Sequence, residues 1–474
     1  MFRDTKRKGV VVVAATEQVT DHPILGSQGE LSRRQVQSRI WNLAYPAIIE
    51  QLLVTLVSMA DMIMVGSLGA SAIAAIGISN QPIFTANAIF SAVSIGSTAL
   101  IARLMGAQDY ELANKAARQS LILAISSSLV LMVGVFVFAP AMIHFMHAAP
   151  DVAPLAITYS RIMGVSLVFS LTSMILNGVL RGAGDMRTPM RVNVVANIIN
   201  IVFNYLLIFG IGPFPQLGVA GAAISTLLAH IVAFCLVLSV FFSGKFVLTF
   251  KRGQSYRPDW EIIKRILNVG LPASVEQLIM RVGMMFYART VSSLGTTAYA
   301  AHQIAINSEG ITFTPGMGFS MASTTLVGQS LGAKMPERAK RFGVESRHLA
   351  MLTMGTLGLL LFFFPTQIIG FYTDDPAVIE QGVICLRIIA LVQPVMGATF
   401  VMMGSLRGAG DTRFVMLVTM LGIWIGRLGT AYLLVKGLDM GLAGAWIAMA
   451  VDHIIRGSIS SLRFHQGGWQ KARV

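Results

Sequence analysis

Apolar stretches of roughly 20 residues, the length of helix that crosses a bilayer, recur in this chain from Trp41 almost to its end. Hydrocarbon satisfies no backbone N–H or C=O, so a lipid-facing segment must be a helix or a strand of a closed barrel. Runs of this length select the helix. Windows of that size place spans at 40–66, 73–102, 119–140, 153–179, 189–211 and 218–243, then at 262–291, 297–330, 349–366, 377–405, 414–435 and 440–462. The expected fold class is all-α, a polytopic membrane protein with twelve transmembrane helices in two pseudo-symmetric six-helix bundles. Composition agrees: 54% of the residues are hydrophobic and 12% charged, against about 25% charged in an average soluble domain.

The formal charge of +14 raises the question of a nucleic-acid partner, and its distribution answers it. Lys and Arg gather after the even-numbered spans, among them Arg103, Lys115, Arg118, Arg181, Lys334, Arg338 and Arg407, while the opposite loops offer only Lys436. By the positive-inside rule both termini are cytoplasmic and the chain sits in a plasma or inner membrane. Topology and the anionic leaflet account for the charge, and no nucleic acid is expected. The N-terminus opens on the basic run Met1 to Lys8 and an apolar stretch, Val10 to Ala15, too short for a signal-peptide core. Cys235 and Cys385 fall inside spans and read as packing residues, with neither a disulfide framework nor a metal motif.

The chain repeats itself. Leu-Arg-Gly-Ala-Gly-Asp occurs at Leu180 to Asp185 and again at Leu406 to Asp411, 226 residues apart, and the same offset pairs Pro46 with Pro272, Glu50-Gln51 with Glu276-Gln277, and Arg161 with Arg387. Further on the offset falls to 223, where Gly218, Gly221 and His230 meet Gly441, Gly444 and His453. Because each repeat holds an even number of spans, the halves share one orientation about an axis along the membrane normal, as in secondary transporters whose substrates bind near the midplane. The expected division is a cytoplasmic tail over 1–38, a first bundle over 39–243, a basic cytoplasmic linker over 244–261, a second bundle over 262–464 and a tail over 465–474. Within each hexapeptide the glycines permit a tight reversal, the aspartate can cap the next helix, and the arginine is expected to anchor at the inner interface.

Together the twin LRGAGD elements, "ADMIMVGSLG" closing the first span, and "GLPASVEQL" through "AYAAHQIAIN" in the second half resemble the multidrug and toxic compound extrusion (MATE) family. The resemblance covers essentially everything after residue 38. It implies a V-shaped pair of six-helix bundles that works as a monomer in membrane lipid. It further implies an antiporter, not an enzyme, that expels lipophilic and usually cationic small molecules while protons or sodium ions run inward, with no cofactor beyond that ion.

Duplication also filters candidate sites, since features present in both halves read as scaffold and one-sided polar residues read as chemistry. Asp61 has Tyr287 as its repeat partner, and an acid deep in a transmembrane helix is a functional candidate by default. Glu50 lies eleven residues earlier, about three helical turns, on nearly the same face. Asn193, Asn197, Asn200 and Asn204 line one face of the fifth span, whereas their partners Thr419, Ile423, Gly426 and Thr430 form no such ladder. Amides can stabilise a carboxylate or offer carbonyl oxygens to sodium; the bland alternative is interhelical glue. The resemblance adds that the family carries an aspartate at the position of Asp61, which would hold the proton or metal ion, with polar partners at Asn200 and Asn204. Some bacterial branches have a second aspartate where this chain has Asn204.

Several sodium-coupled members of the family place acids in the seventh and tenth spans. Here Glu276 is the seventh-span candidate, the tenth span has no acid near "VQPVMGATFVMMGS", and Glu276 shares its place in the repeat with Glu50. Pairs of Glu276 with Arg281 and of Glu309 with Arg289 would neutralise the remaining charge. Met280, Met284, Met285 and Phe286 are the candidate substrate lining, soft side chains suited to varied apolar ligands, and His302 reads as packing. The chain has no HExxH, no clustered His and Cys and no GxxxxGK[ST], which removes a zinc enzyme and an ATP-driven pump. The closer rival is a lipid or lipid-linked sugar flippase of the same wider superfamily, against which the twelve-span count argues.

Overall fold

The computed structural model describes residues 31–472, apart from Lys245, Arg252 and the side chain of Ala92. Residues 1–30 of the expected tail lie outside it. Twelve long helices follow one another: α1 (Arg33–Gly66), α2 (Ala70–Gly106), α3 (Tyr110–Phe145), α4 (Ala153–Gly182), α5 (Arg187–Phe209), α6 (Gly218–Phe242), α7 (Trp260–Ser292), α8 (Thr296–Gly332), α9 (Pro336–Phe363), α10 (Pro376–Gly408), α11 (Thr412–Gly437) and α12 (Gly441–Gln466). No strand occurs among the described residues. Among the described residues nine helices are long and apolar enough to cross a membrane; α7, α8 and α12 fall short, and these hold Glu276, Arg281, Glu309, Asp452 and Arg456.

Helix starts follow local chemistry. Ser32 and Gln35 form a reciprocal capping box at α1, Ser32 N–H donating to Gln35 Oε1 at 2.8 Å and Gln35 N–H to Ser32 Oγ at 3.3 Å. Asp109 and Asp375 cap α3 and α10 in the same sense, each accepting a backbone N–H. Several helices run past the apolar windows into polar turns: α3 starts at Tyr110 rather than near 119, and α9 at Pro336 rather than near 349. Hydropathy marks the lipid-crossing part of a helix, whereas backbone hydrogen bonding continues until a cap stops it.

The main packing contacts recur in both halves. α2 packs on α4 as α8 does on α10, and α5 on α6 as α11 does on α12. The halves meet where the first helix of each lies against the second helix of the other, α1 on α8 and α7 on α2, with α2 also against α8. Close approach needs glycine there: a Cβ on Gly106 would run into the Gln329 carbonyl, and one on its repeat twin Gly332 into the Arg103 carbonyl. Positions 103 and 329 are twins as well. Gly332→Val should therefore force the α2–α8 contact apart at a cost of about 1–3 kcal/mol, seen as a lower unfolding temperature in detergent.

The segment joining the halves is pinned to the first of them. Phe250 stacks on Phe241 with ring centroids 4.7 Å apart, Thr249 N–H donates to Asn114 Oδ1 at 2.6 Å, and Gln119 accepts Asp259 N–H at 3.0 Å. Asp259 caps α7 and meets Lys115 Nζ at 2.5 Å; the hydrogen bond from that ammonium, with the Ile262 N–H, holds its carboxyl below the usual carboxylate range.

Candidate functional site

The LRGAGD turns organise what surrounds them. Gly184 and Gly410 both take φ near +90°, at 94° and 87°, a region open to glycine at little cost. Asp185 caps α5, accepting the N–H groups of Arg187 at 3.0 Å and Thr188 at 2.9 Å. Asp411 does not repeat this; it accepts Arg463 Nε at 3.0 Å instead. Nor do the arginines reach the interface as expected. Arg181 turns inward and pairs with Glu50, which also accepts Asn193 Nδ2 at 2.6 Å. Arg407 pairs with Glu276 at 2.5 Å, which also accepts Thr419 Oγ1 at 3.1 Å.

These two triads are repeat images, residue for residue, since 50, 181 and 193 become 276, 407 and 419. Glu276 therefore faces Arg407 rather than Arg281, whose guanidinium lies over the Phe84 ring and donates to the Phe84 carbonyl. Among the described residues Glu309 and Arg289 make no ion pair with each other. Periodicity along one helix could not have found the Arg407 partner, which arrives from α10 through the turn of the motif itself.

The asparagine face of α5 splits between two acids. Asn193 serves Glu50, while Asn204 donates its Nδ2–H to Asp61 Oδ1 at 2.6 Å and lies 3.2 Å from Asn200 Oδ1, which it can also serve as donor. Asn200 in turn donates to Thr226 Oγ1 at 3.3 Å. α1 and α5 run parallel, so the eleven residues from Glu50 to Asp61 match the eleven from Asn193 to Asn204. Asn200 and Asn204 are buried and Asp61 half-buried; the Oδ1 of Asn204 is buried without a partner. Tyr159 of α4 lies within electrostatic reach of Asp61, with Asn80 beside it. Sequence reasoning missed Thr226, Tyr159 and Asn80, because a lone Thr, Tyr or Asn in an apolar span carries no pattern.

Tyr287, at the position of Asp61 in the second half, is sealed in that half's core, its O–H donating to the Ala445 carbonyl at 2.8 Å. His302 packs between the rings of Tyr287 and Trp446, each 5.7 Å away. A cavity of about 510 Å³ lies where the halves meet, lined by Glu50, Asn177, Arg181 and His230 from the first half and by Gln277, Met321 and Arg407 from the second. Met280, Met284, Met285 and Phe286 lie further along α7 than Gln277, outside this lining. Of these, Met284 accepts an Arg427 N–H on its sulfur at 2.9 Å, while Met285 and Phe286 are exposed. No group of three or more His, Cys, Asp or Glu able to hold a metal ion is gathered among the described residues.

The model of the MatE family matches this chain twice, over residues 46–206 and 272–433. The chain belongs to the MatE family. The probable multidrug resistance protein NorM of Thermotoga maritima is 34% identical over 93% of this chain and 94% of its own, and the uncharacterized transporter YisQ of Bacillus subtilis 26% over 91% and 94%. A MOP superfamily transporter from Pyrococcus furiosus superposes with a TM-score of 0.85 at 25% identity, covering 91% of this chain and 95% of that one. The outward-facing conformation of a multidrug resistance MATE family transporter superposes with the same score at 24% identity, covering 91% and 96%. The two family matches begin at Pro46 and Pro272, the 226-residue offset of the repeat, and the MATE fold accounts for the twelve helices.

As a MATE family transporter the chain is a multi-pass membrane protein and not an enzyme. One motif bears on that point: Gly328-Gln329-Ser330-Leu331-Gly332 has the GxSxG spacing of a hydrolase elbow. Ser330 sits inside α8, buried, and donates to the Leu326 carbonyl at 2.7 Å, with none of the strand–turn–helix setting such a nucleophile needs.

Proposed function

We propose that this chain is a multidrug efflux antiporter of the plasma membrane, exporting lipophilic, mainly cationic compounds in exchange for protons or sodium ions that enter through Asp61. One contrast carries the reading. Glu50, Glu276 and Asp452 are each neutralised by arginine, whereas Asp61 is held by the amide of Asn204. A carboxylate in that setting keeps a charge that a passing cation can neutralise, and burial makes such neutralisation favourable. The twin triads, with Glu276 in the same arginine pair as Glu50, favour a scaffold role for Glu276 over coupling.

Both termini are cytoplasmic in this reading, and the 244–261 segment is the cytoplasmic linker between moving halves that work as a monomer. The cavity between the halves receives the drug from its LRGAGD end, and Met280, Met284, Met285 and Phe286 line its path toward the far side. Ion and drug favour different arrangements of the first half, which is the only way one ligand can drive the other. Ethidium efflux from vesicles, with proton and sodium gradients imposed separately, tests this. Efflux driven by one gradient supports the antiporter and identifies its ion. Lack of drug movement under either, with lipid crossing instead, would replace it with the flippase.

A further inference from the structure

The second half holds a charge cluster that the reading above does not use. Asp452 of α12 is wholly buried and saturated: Arg456 Nε reaches its Oδ1 at 2.6 Å and Arg456 Nη2 its Oδ2 at 2.7 Å, while Arg427 of α11 reaches Oδ2 through Nε at 3.0 Å and Nη2 at 2.7 Å. Two guanidiniums, neither able to shed its proton, face one carboxylate. The cluster alone carries one uncompensated positive charge, costly at this depth.

Glu309 of α8 is the buried acid nearest in kind to what the cluster lacks, and among the described residues it has no arginine partner of its own. It is buried, Arg427 is the charged group whose field it feels, and among the described residues neither a hydrogen bond nor an ion pair reaches its carboxyl. The other polar groups around it are fixed or opposed. Tyr287 of α7 lies beneath the Arg427 guanidinium at 5.4 Å and donates to the Ala445 carbonyl; Cys385 of α10 is buried near Tyr287. His302 of α8 packs between the Tyr287 and Trp446 rings, and His453 of α12 has its Nε2 3.4 Å from Arg427 Nη2. Asp452 is held by two arginines. Glu309 remains as the group that can change charge.

A second observation points to the same place. α11 is α-helical over Thr412–Met420 but wound as a π-helix over Leu421–Gly429, and Arg427 lies in that stretch. Its repeat image α5 is α-helical throughout Arg187–Phe209. π turns are rare and cluster at functional sites, and this one docks Gly422 and Gly426 against Asp452 and Arg456. Repeat partners of Glu309, Arg427, Asp452 and Arg456 are Ile83, Ile201, Ala229 and Ala233. The departure of α11 from the repeat thus coincides with the charges.

We propose that Glu309 is a second proton-binding group of the transporter, acting against Arg427 in the π-wound segment of α11. A proton from water adds to the Glu309 carboxylate and forms its O–H bond; release breaks that bond, and no other bond changes. Protonation leaves Arg427 to Asp452 alone, and ionisation shares it between two carboxylates. Because Arg427 also donates to Met284 of α7, the proton is linked to a helix that lines the cavity through Gln277.

Infrared difference spectra of the transporter in liposomes, recorded as pH is stepped, read protonated carboxyl groups directly. In Asp61→Asn the band of a buried carboxyl shielded from water, distinct from the band of the solvent-exposed Asp and Glu side chains, should persist through the titration, and that band should vanish in Asp61→Asn with Glu309→Gln. Asp61→Asn with Glu309→Asp should keep the titration with a shifted band, which guards against loss through misfolding. Arg427→Lys, which keeps charge but loses the fork, should move the midpoint. Loss of that buried band in Asp61→Asn alone, or its survival unchanged in the Glu309→Gln double variant, would overturn the proposal. Neither result bears on whether Asp61 couples transport, which the gradient experiment decides.

Discussion

Asp61→Asn should abolish gradient-driven drug efflux while leaving a folded transporter that still binds ethidium. The substitution keeps the shape of the side chain and its contact with Asn204 Nδ2, 2.6 Å away in the native protein, but removes the charge. A neutral amide there spares the roughly 2.5–3.5 kcal/mol that an acid costs at the centre of a transmembrane helix, so stability should hold or rise. What disappears is the differential affinity for the ion on which coupling depends. Measured in vesicles, efflux under the driving gradient should fall by at least about tenfold, the equivalent of roughly 1.4 kcal/mol of coupling. Drug binding to the purified variant should stay within a few-fold of wild type. Efflux at the native rate would move the coupling group elsewhere.

Arg407→Leu should produce the largest loss of stability. Glu276 is completely buried and accepts Arg407 at 2.5 Å and Thr419 at 3.1 Å. Removing the guanidinium leaves a carboxylate in the interior with a hydroxyl for company, and stranding one member of a buried pair costs about 3–5 kcal/mol. Thermal unfolding in detergent should show a large drop for Arg407→Leu and substantial recovery in Arg407→Leu with Glu276→Gln, because the second change removes the stranded charge. Arg181→Leu should behave alike through Glu50, with Asn193 giving partial relief at 2.6 Å. A double variant no more stable than Arg407→Leu alone would mean that the arginine acts through packing rather than charge.

Most of this architecture was legible in the chain. Apolar runs gave the number and order of helices, since only helices of that length satisfy their backbone in lipid. The 226-residue offset disclosed the two halves and paired Glu50 with Glu276, but it did not disclose their arginine partners, since by sequence Arg281 is the expected partner of Glu276 and the LRGAGD arginines are expected at the interface. What it could not supply was the third dimension. That Arg181 and Arg407 turn inward depends on where the LRGAGD turns fall relative to α1 and α7. That Asn193 and Asn204 divide between Glu50 and Asp61 depends on the parallel register of α1 and α5. The π winding of α11 had no sequence warning, because its apolar period reads as ordinary helix.

The most direct test of antiport runs the cycle from the drug side. With no ion gradient imposed, an ethidium gradient across liposomes containing the protein should drive protons or sodium ions the opposite way, as reciprocal coupling requires. An ion-sensitive dye should register that movement with the wild type and none with Asp61→Asn. Ethidium running down its gradient through the wild type with no counter-movement of either ion would contradict the account and make the protein a uniporter.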